Sequence, residues 1–142
     1  MWHTYFMAAK SEHGSLDRLF RALADPIRLR LLHLIAGREI CVCFLVEILD
    51  MSQPKISRHL AYLRRAGLVA ARNDGKWVHY RVVEPKDETA AEILRATLRR
   101  LRERPEMRRD AERLGAAACC APGTPVQLQT APRPVKVALN RA

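Results

Sequence analysis

At 142 residues the chain is one domain's worth of polypeptide, enough for a single core and a short appendage. Its 25 lysines and arginines against 15 aspartates and glutamates leave a formal charge of +10, which suits a polyanionic partner, with nucleic acid first among them. No apolar run approaches the roughly 20 residues that span a bilayer, and residues 1–10 lack the leader pattern of a secretory signal, so a cytoplasmic protein with no membrane partner is expected.

Residues 1–14 carry no clear period and are expected to form an N-terminal arm. Ser15 is placed to cap a first helix with Leu16, Leu19, Phe20 and Leu23 on one side. Ala24-Asp25-Pro26 ends that helix and starts a second, with Asp25 as the cap and Pro26 in the first turn. Ile27, Leu31, Leu34 and Ile35 form the second helix's apolar face, Arg28 and Arg30 point outwards, and Gly37 closes it. A third short helix is expected over roughly residues 42–49, with Cys41 and Cys43 at its start.

The next stretch has the sharpest pattern. Ser52 is placed to accept from free backbone N–H groups as an N-cap, and Pro54 lies in the first turn, where its missing N–H costs nothing. Ile56, Leu60 and Leu63 recur at four and three residues, which makes one apolar stripe, and Gly67 ends the helix. The exposed side then holds Gln53, Lys55, Arg58, His59 and Arg65, with Ser57 on the flank and no acidic residue between Met51 and Asn73. Such a face suits a DNA major groove; taken alone, it equally suits a solvated basic surface.

The two runs after this helix favour DNA. Residues 68–72 and 76–83 are strand-like, and Asn73-Asp74-Gly75 between them signals a tight hairpin. Val78, Tyr80 and Val82 share one face of the second run, and Trp77, His79 and Arg81 the other, where Trp77 is read as packing. Arg72 and Lys76 flank the tip, in reach of phosphates. A recognition-type helix running into a basic-tipped hairpin is a winged helix-turn-helix, so the expected fold is mainly α with a small β-hairpin wing.

Beyond the wing, Pro85 breaks the strand and Asp87 opens a long helix with Ile93, Leu94, Leu98 and Leu101 as its apolar seam. Pro105 stops it, residues 106–114 can form one more Arg-rich helix, and small residues with four prolines predict a mobile tail from Gly115 on. The expected division is an arm over 1–14, a winged domain over 15–104, a C-terminal helix with a cysteine pair over 105–120, and a disordered tail over 121–142.

Four cysteines fall as Cys41/Cys43 and Cys119/Cys120, neither pair with Cys-x-x-Cys spacing. In a reducing cytosol, closely spaced thiols are more often metal ligands or redox groups than structural bridges, and thiolate sulfur prefers soft ions. The start of a helix and the neighbouring Arg38 both favour the thiolate form of Cys41 and Cys43. On a regular helix, side chains two apart diverge by about 200°. Both sulfurs can therefore meet one ion only if the backbone around Val42 is non-helical, so binding is expected to unwind the start of the third helix. The plainer readings are that Cys41 and Cys43 are small buried hydrophobes and that Cys119 and Cys120 are incidental to the tail. Neither His33 nor His79 is assigned to metal. With no Gly-rich or Cys-x5-Arg anion loop, neither an enzyme nor a catalytic cofactor is expected.

Residues 15 to about 100 resemble the ArsR/SmtB family of metal-responsive, dimeric winged-helix repressors. The resemblance is carried by Ala24-Asp25-Pro26-Ile27-Arg28-Leu29, Glu39-Ile40-Cys41-Val42-Cys43, Ser52 to Leu63, and Gly75 to Arg81, and Cys-Val-Cys points to the arsenic-responsive branch. It implies a homodimer, with the long-helix seam packed beside the first helix at the two-fold interface. It also implies operator DNA read through Ser52, Gln53, Lys55, Ser57, Arg58 and His59 of each subunit, at half-sites roughly 34–36 Å apart or a multiple of that. The family's arsenic sites commonly draw a third cysteine three residues after the second, where this chain has Val46. Cys119 or Cys120 is the expected replacement, within the chain or across the dimer. The implied function is repression relieved by arsenic(III), as arsenite or methylarsenite, with cadmium, lead or antimony sensing and thiol-redox sensing as alternatives. The family's zinc site on the last helix is not matched, since residues 84–118 contain no histidine.

Overall fold

The computed structural model describes residues 16–117. The expected cap Ser15, the arm over 1–14, Cys119, Cys120 and the tail over 121–142 lie outside the described residues. Helix α1 (residues 16–23) buries Leu19 and Ala22 but leaves Phe20 54% exposed, so Phe20 is not part of this protomer's core. In α2 (Pro26–Ile35), Asp25 Oδ1 accepts from the backbone N–H groups of Ile27 (2.9 Å) and Arg28 (3.0 Å), as its cap position requires. The inner face of α2 is Leu31, Leu32, Leu34 and Ile35, and the chain then turns through Gly37 at φ +74°.

The next element corrects the sequence reading. Residues 40–41, taken as the approach to a helix, form a short strand, β1 (Ile40–Cys41). The third helix, α3 (Val42–Leu49), starts immediately after it with Cys41 in an extended conformation at the N-cap. It ends at Asp50, whose φ and ψ of 51° and 51° lie in the left-handed region that a short Asp side chain tolerates. Helix α4 (Gln53–Arg65) comes next, with Ser52 Oγ accepting from the Lys55 N–H at 3.4 Å, a cap worth about 1 kcal/mol. Ile56, Leu60 and Leu63 are fully buried, as their spacing requires.

Strands β2 (Val69–Asp74) and β3 (Trp77–Val82) pair antiparallel from Val69 opposite Val82 to Asp74 opposite Trp77. Asn73 and Asp74 are therefore strand residues, and the two-residue turn is Gly75-Lys76. Gly75 at φ +60° supplies the positive φ that a tight hairpin needs. Because β1 pairs with the free edge of β3, the wing is a three-stranded sheet of order β1-β3-β2 rather than a bare hairpin. Helix α5 (Glu88–Leu101), capped by Asp87, buries Ala90, Ala91, Leu94 and Leu101 and leaves Ile93 and Leu98 half-covered. The helix is interrupted by a turn at residues 102–104, and Pro105 opens α6 (Pro105–Ala116) in the first-turn position that suits it. Leu114 of α6 joins the same core as Leu31, Leu45 and Leu60.

Candidate functional site

Helix α4 presents Pro54, Arg58, Ala61 and Arg65 along its most exposed ridge, flanked by Ser52, Gln53 and Lys55, also exposed, and by half-buried Ser57. The i, i+4, i+7, i+11 spacing of that ridge is set by the Ile56/Leu60/Leu63 stripe locking the opposite side into the core. His59, expected on the same face, is instead turned towards α2, with Nδ1 3.9 Å from Asp25 Oδ1 and the side chain 18% exposed. Burial, then the charges of Arg28, Lys55 and Arg58, hold its pKa below 6.5 against the opposing pull of Asp25. For Asp25, burial alone acts upwards, but the Arg28 N–H and charge, His59 and the Ile27 N–H keep its carboxyl below 3.8.

Arg28 does not point outwards as its helix position suggested. Its Nε donates to the Ala22 carbonyl at 2.8 Å and its Nη2 to the Arg21 carbonyl at 2.7 Å, which ties off the end of α1. The same guanidinium lies 4.2 Å from the centroid of the Tyr62 ring. Arg28, Lys55, Arg58, His59, Tyr62 and Arg65 together line a shallow basic basin between α2 and α4. Arg30, also expected outside, is paired with Asp110 of α6. The sequence signal for both arginines was confined to local helix spacing, and their partners lie on other elements.

At the wing, Lys76 is exposed at the hairpin tip with Nζ 4.9 Å from the Trp77 ring centroid. Arg72 was expected beside it. Its guanidinium is turned inwards instead, donating from Nε to Glu39 Oε1 at 2.8 Å and from Nη2 to the same oxygen. Nε and Nη2 are thereby engaged, and Nη1 lies 3.7 Å from Asp74 Oδ2.

The thiol pair sits where sheet and helix meet. Cys41 Sγ and Cys43 Sγ are 2.9 Å apart, with Cys41 buried at 5% exposure and Cys43 half-buried. Cys41 is a free thiol; Cys43 is disulfide-bonded, though not to Cys41. The two sulfurs meet because Cys41 is extended while Cys43 is helical, so their convergence leaves α3 intact from Val42 onwards. The expected unwinding is therefore unnecessary. Among the described residues no group of three or more His, Cys, Asp or Glu side chains is already gathered as a metal cage. The expected third ligands, Cys119 and Cys120, lie outside the described residues.

No described helix is long and apolar enough to cross a membrane. The sequence profile described as "Bacterial regulatory protein, arsR family" matches residues 25–71, from the cap of α2 into β2. The arsenical resistance operon repressor of Escherichia coli (strain K12) is 51% identical over 78 residues, which cover 54% of this chain and 67% of that protein. Among solved structures, reduced HlyU from Vibrio cholerae N16961 matches with a TM-score of 0.56 at 29% identity, over 68% of this chain and 98% of its own. The AntR antimony-specific transcriptional repressor matches with a TM-score of 0.52 at 30% identity, over 66% and 82%. With the winged helix-turn-helix and these relatives together, the chain belongs to the arsR family of bacterial regulatory proteins, DNA-binding repressors of transcription.

Proposed function

We infer that the protein represses transcription as a homodimer on a two-fold operator and leaves it when a trivalent arsenical, arsenite or methylarsenite, binds its thiolates. One observation carries this reading: two cysteine sulfurs 2.9 Å apart on the segment that joins the wing sheet to the helix-turn-helix. Thiolate is the ligand that soft ions prefer. Each As–S bond formed replaces an As–O bond, and the thiol proton leaves with the displaced hydroxide as water. Cys41 and Cys43 supply two such bonds once Cys43 is reduced, and Cys119 or Cys120 is the proposed source of the third. The relative named as an arsenical resistance repressor supports arsenic as the inducer. Lys55 and Arg58 are assigned to phosphate or guanine edges, Gln53 to an adenine edge, Ser52 and Ser57 to backbone or bases, and Lys76 to phosphate. Cadmium, lead and antimony are the competing ions, and the antimony-specific neighbour keeps the last in view.

The test is operator release under reducing conditions, titrated with arsenite, methylarsenite, antimonite and cadmium, for wild type, for Cys41→Ser/Cys43→Ser and for a chain ending at Ala118. Release by arsenite that needs Cys41 and Cys43 supports the reading. Unaltered release from the double serine variant contradicts it.

A second reading has its own observation. Cys43 is disulfide-bonded, and a structural neighbour was solved in a form named reduced. In this reading peroxide takes two thiols to a disulfide and two waters, and it is this change that releases DNA. Intact mass after peroxide or arsenite separates the two, since one removes two hydrogens and the other adds arsenic.

A further inference from the structure

Cys41 is built into the same sheet as the wing. It stands directly opposite His79 on β3, and His79 stands directly opposite Arg72 on β2, so the three residues form one row across the sheet. Residues opposite one another on paired strands share a face. Glu39, the residue immediately before β1, takes Nε and Nη2 of Arg72 on a single oxygen, Oε1. The pair is well covered, with side-chain exposures of 21% and 14%. Glu39 Oε2 is buried with no hydrogen-bond partner among the described residues. An ion pair that loads one carboxylate oxygen and leaves the other unpartnered has a second arrangement open to it, the two-oxygen fork that arginine and carboxylate ordinarily form. Arg72 also reaches along β2 to Asp74, Nη1 to Oδ2 at 3.7 Å, next to the Gly75-Lys76 turn.

We propose that Glu39 and Arg72 are positioning residues that carry the state of the Cys41 thiol into the wing. Drawing Cys41 Sγ onto a ligand shifts β1 along β3. Glu39 moves with β1 and re-seats the Arg72 guanidinium, and β2 then displaces the tip that holds Lys76. The inference rests on the sensor reading of the thiol pair. It differs in its route, because the two sulfurs converge without disturbing α3 and the sheet is the element to which Cys41 belongs.

The experiment uses reduced full-length protein with Trp2→Phe, which leaves Trp77, at the wing, as the one tryptophan. Arsenite binding is monitored three ways: by the near-ultraviolet band of arsenic–thiolate bonds, by Trp77 emission, and by the ratio of operator affinities without and with arsenite. In Glu39→Gln the thiolate band is expected to form as in wild type, while the Trp77 response is lost and the affinity ratio falls at least about tenfold, the equivalent of about 1.4 kcal/mol of coupling. The charge-swapped pair Glu39→Arg/Arg72→Glu restores an ion pair and is expected to recover part of both responses. It also covers the case in which the single variant fails to fold. A Glu39→Gln protein that folds and keeps both responses in full overturns the inference, as does a folded swap that recovers neither. If wild type forms no thiolate band and holds its operator in arsenite, the sensor reading falls and the inference with it.

Discussion

Arg30 and Asp110, eighty positions apart, form a two-pronged ion pair in which Nε and Nη2 of the arginine each donate to one carboxylate oxygen at 2.7 Å. It joins α2 to α6, with Met107 and Leu114 packed on either side of Asp110 along α6. The two partners are not equally covered: the aspartate side chain is 4% exposed and the arginine 24%. Arg30→Met leaves a buried carboxylate with no counter-charge and is expected to cost about 3 kcal/mol at neutral pH. Asp110→Asn leaves a guanidinium that water can still reach, and is expected to cost about 1–2 kcal/mol. Urea unfolding monitored by circular dichroism measures both, and the reverse order contradicts this account of the pair.

Two histidines set an acid limit on stability. His33, on α2, is held below its ordinary value of 6.5, first by burial and then by the charges of Arg38 and Arg102, against a hydrogen bond with the Met107 backbone and the charge of Asp110. His59 is shifted the same way. For a group whose folded pKa is depressed, the unfolded chain binds the proton more readily, so stability rises with pH across the window. Their contribution is complete above about 6.5 and is lost as pH falls from there through the lower folded values. His33→Gln is expected to flatten the dependence of unfolding free energy on pH below about 6.5, and a curve unchanged from wild type removes His33 from this role.

The exposed ridge and the wing tip are expected to contribute to DNA binding in different ways. Lys55→Ala and Arg58→Ala should each weaken operator binding, by about 1–3 kcal/mol where a base edge is contacted, and should reduce discrimination against a scrambled site. Lys76→Ala should weaken operator and scrambled duplex alike and reduce the slope of log K against log salt by about 1. Arg72→Lys, by contrast, should leave the salt slope unchanged, because the Arg72 guanidinium is spent on Glu39. Fluorescence anisotropy across a salt series tests all four variants. Full affinity in both Lys55→Ala and Arg58→Ala contradicts the ridge assignment.

Helices α2, α4 and α5 were legible because each carries its own punctuation. Asp25, Ser52 and Asp87 cap where a capping side chain was expected, and Gly37 and Gly67 turn where glycine was expected. The apolar stripe of α4 was equally plain, since Ile56, Leu60 and Leu63 are a local pattern. Strand β1 was not. Two residues, Ile40 and Cys41, are too few to show a period, and they are a strand only because β3 offers its edge to them. The long-range arginines failed for the same reason. Arg28, Arg30 and Arg72 looked like solvated or DNA-facing cations, while the groups that claim them are Tyr62, Asp110 and Glu39 on other elements. His59 was assigned from its position on the helix wheel, which gives no sign of Asp25 waiting on α2.

Among the described residues Phe20 is the large apolar side chain left uncovered, at 54% exposure on α1, and Ile93 and Leu98 of α5 are half-covered. The dimer implied by the family resemblance uses these same two helices. If it forms, Phe20 is buried by the partner subunit. Placing a charge there should then cost the dimer far more than the monomer. Phe20→Glu is expected to raise the dimer dissociation constant at least about a hundredfold, equivalent to about 2.8 kcal/mol per dimer. The folded protomer should lose little, because the side chain already meets water. Operator affinity should fall in step, since a two-fold site is read by two linked α4 helices, while affinity for an isolated half-site should hold. Sedimentation equilibrium and half-site binding measure these separately. A Phe20→Glu protein that remains dimeric at nanomolar concentration places the interface elsewhere, and a monomeric one that still binds the full operator as tightly as wild type shows that pairing of subunits is not what the DNA requires.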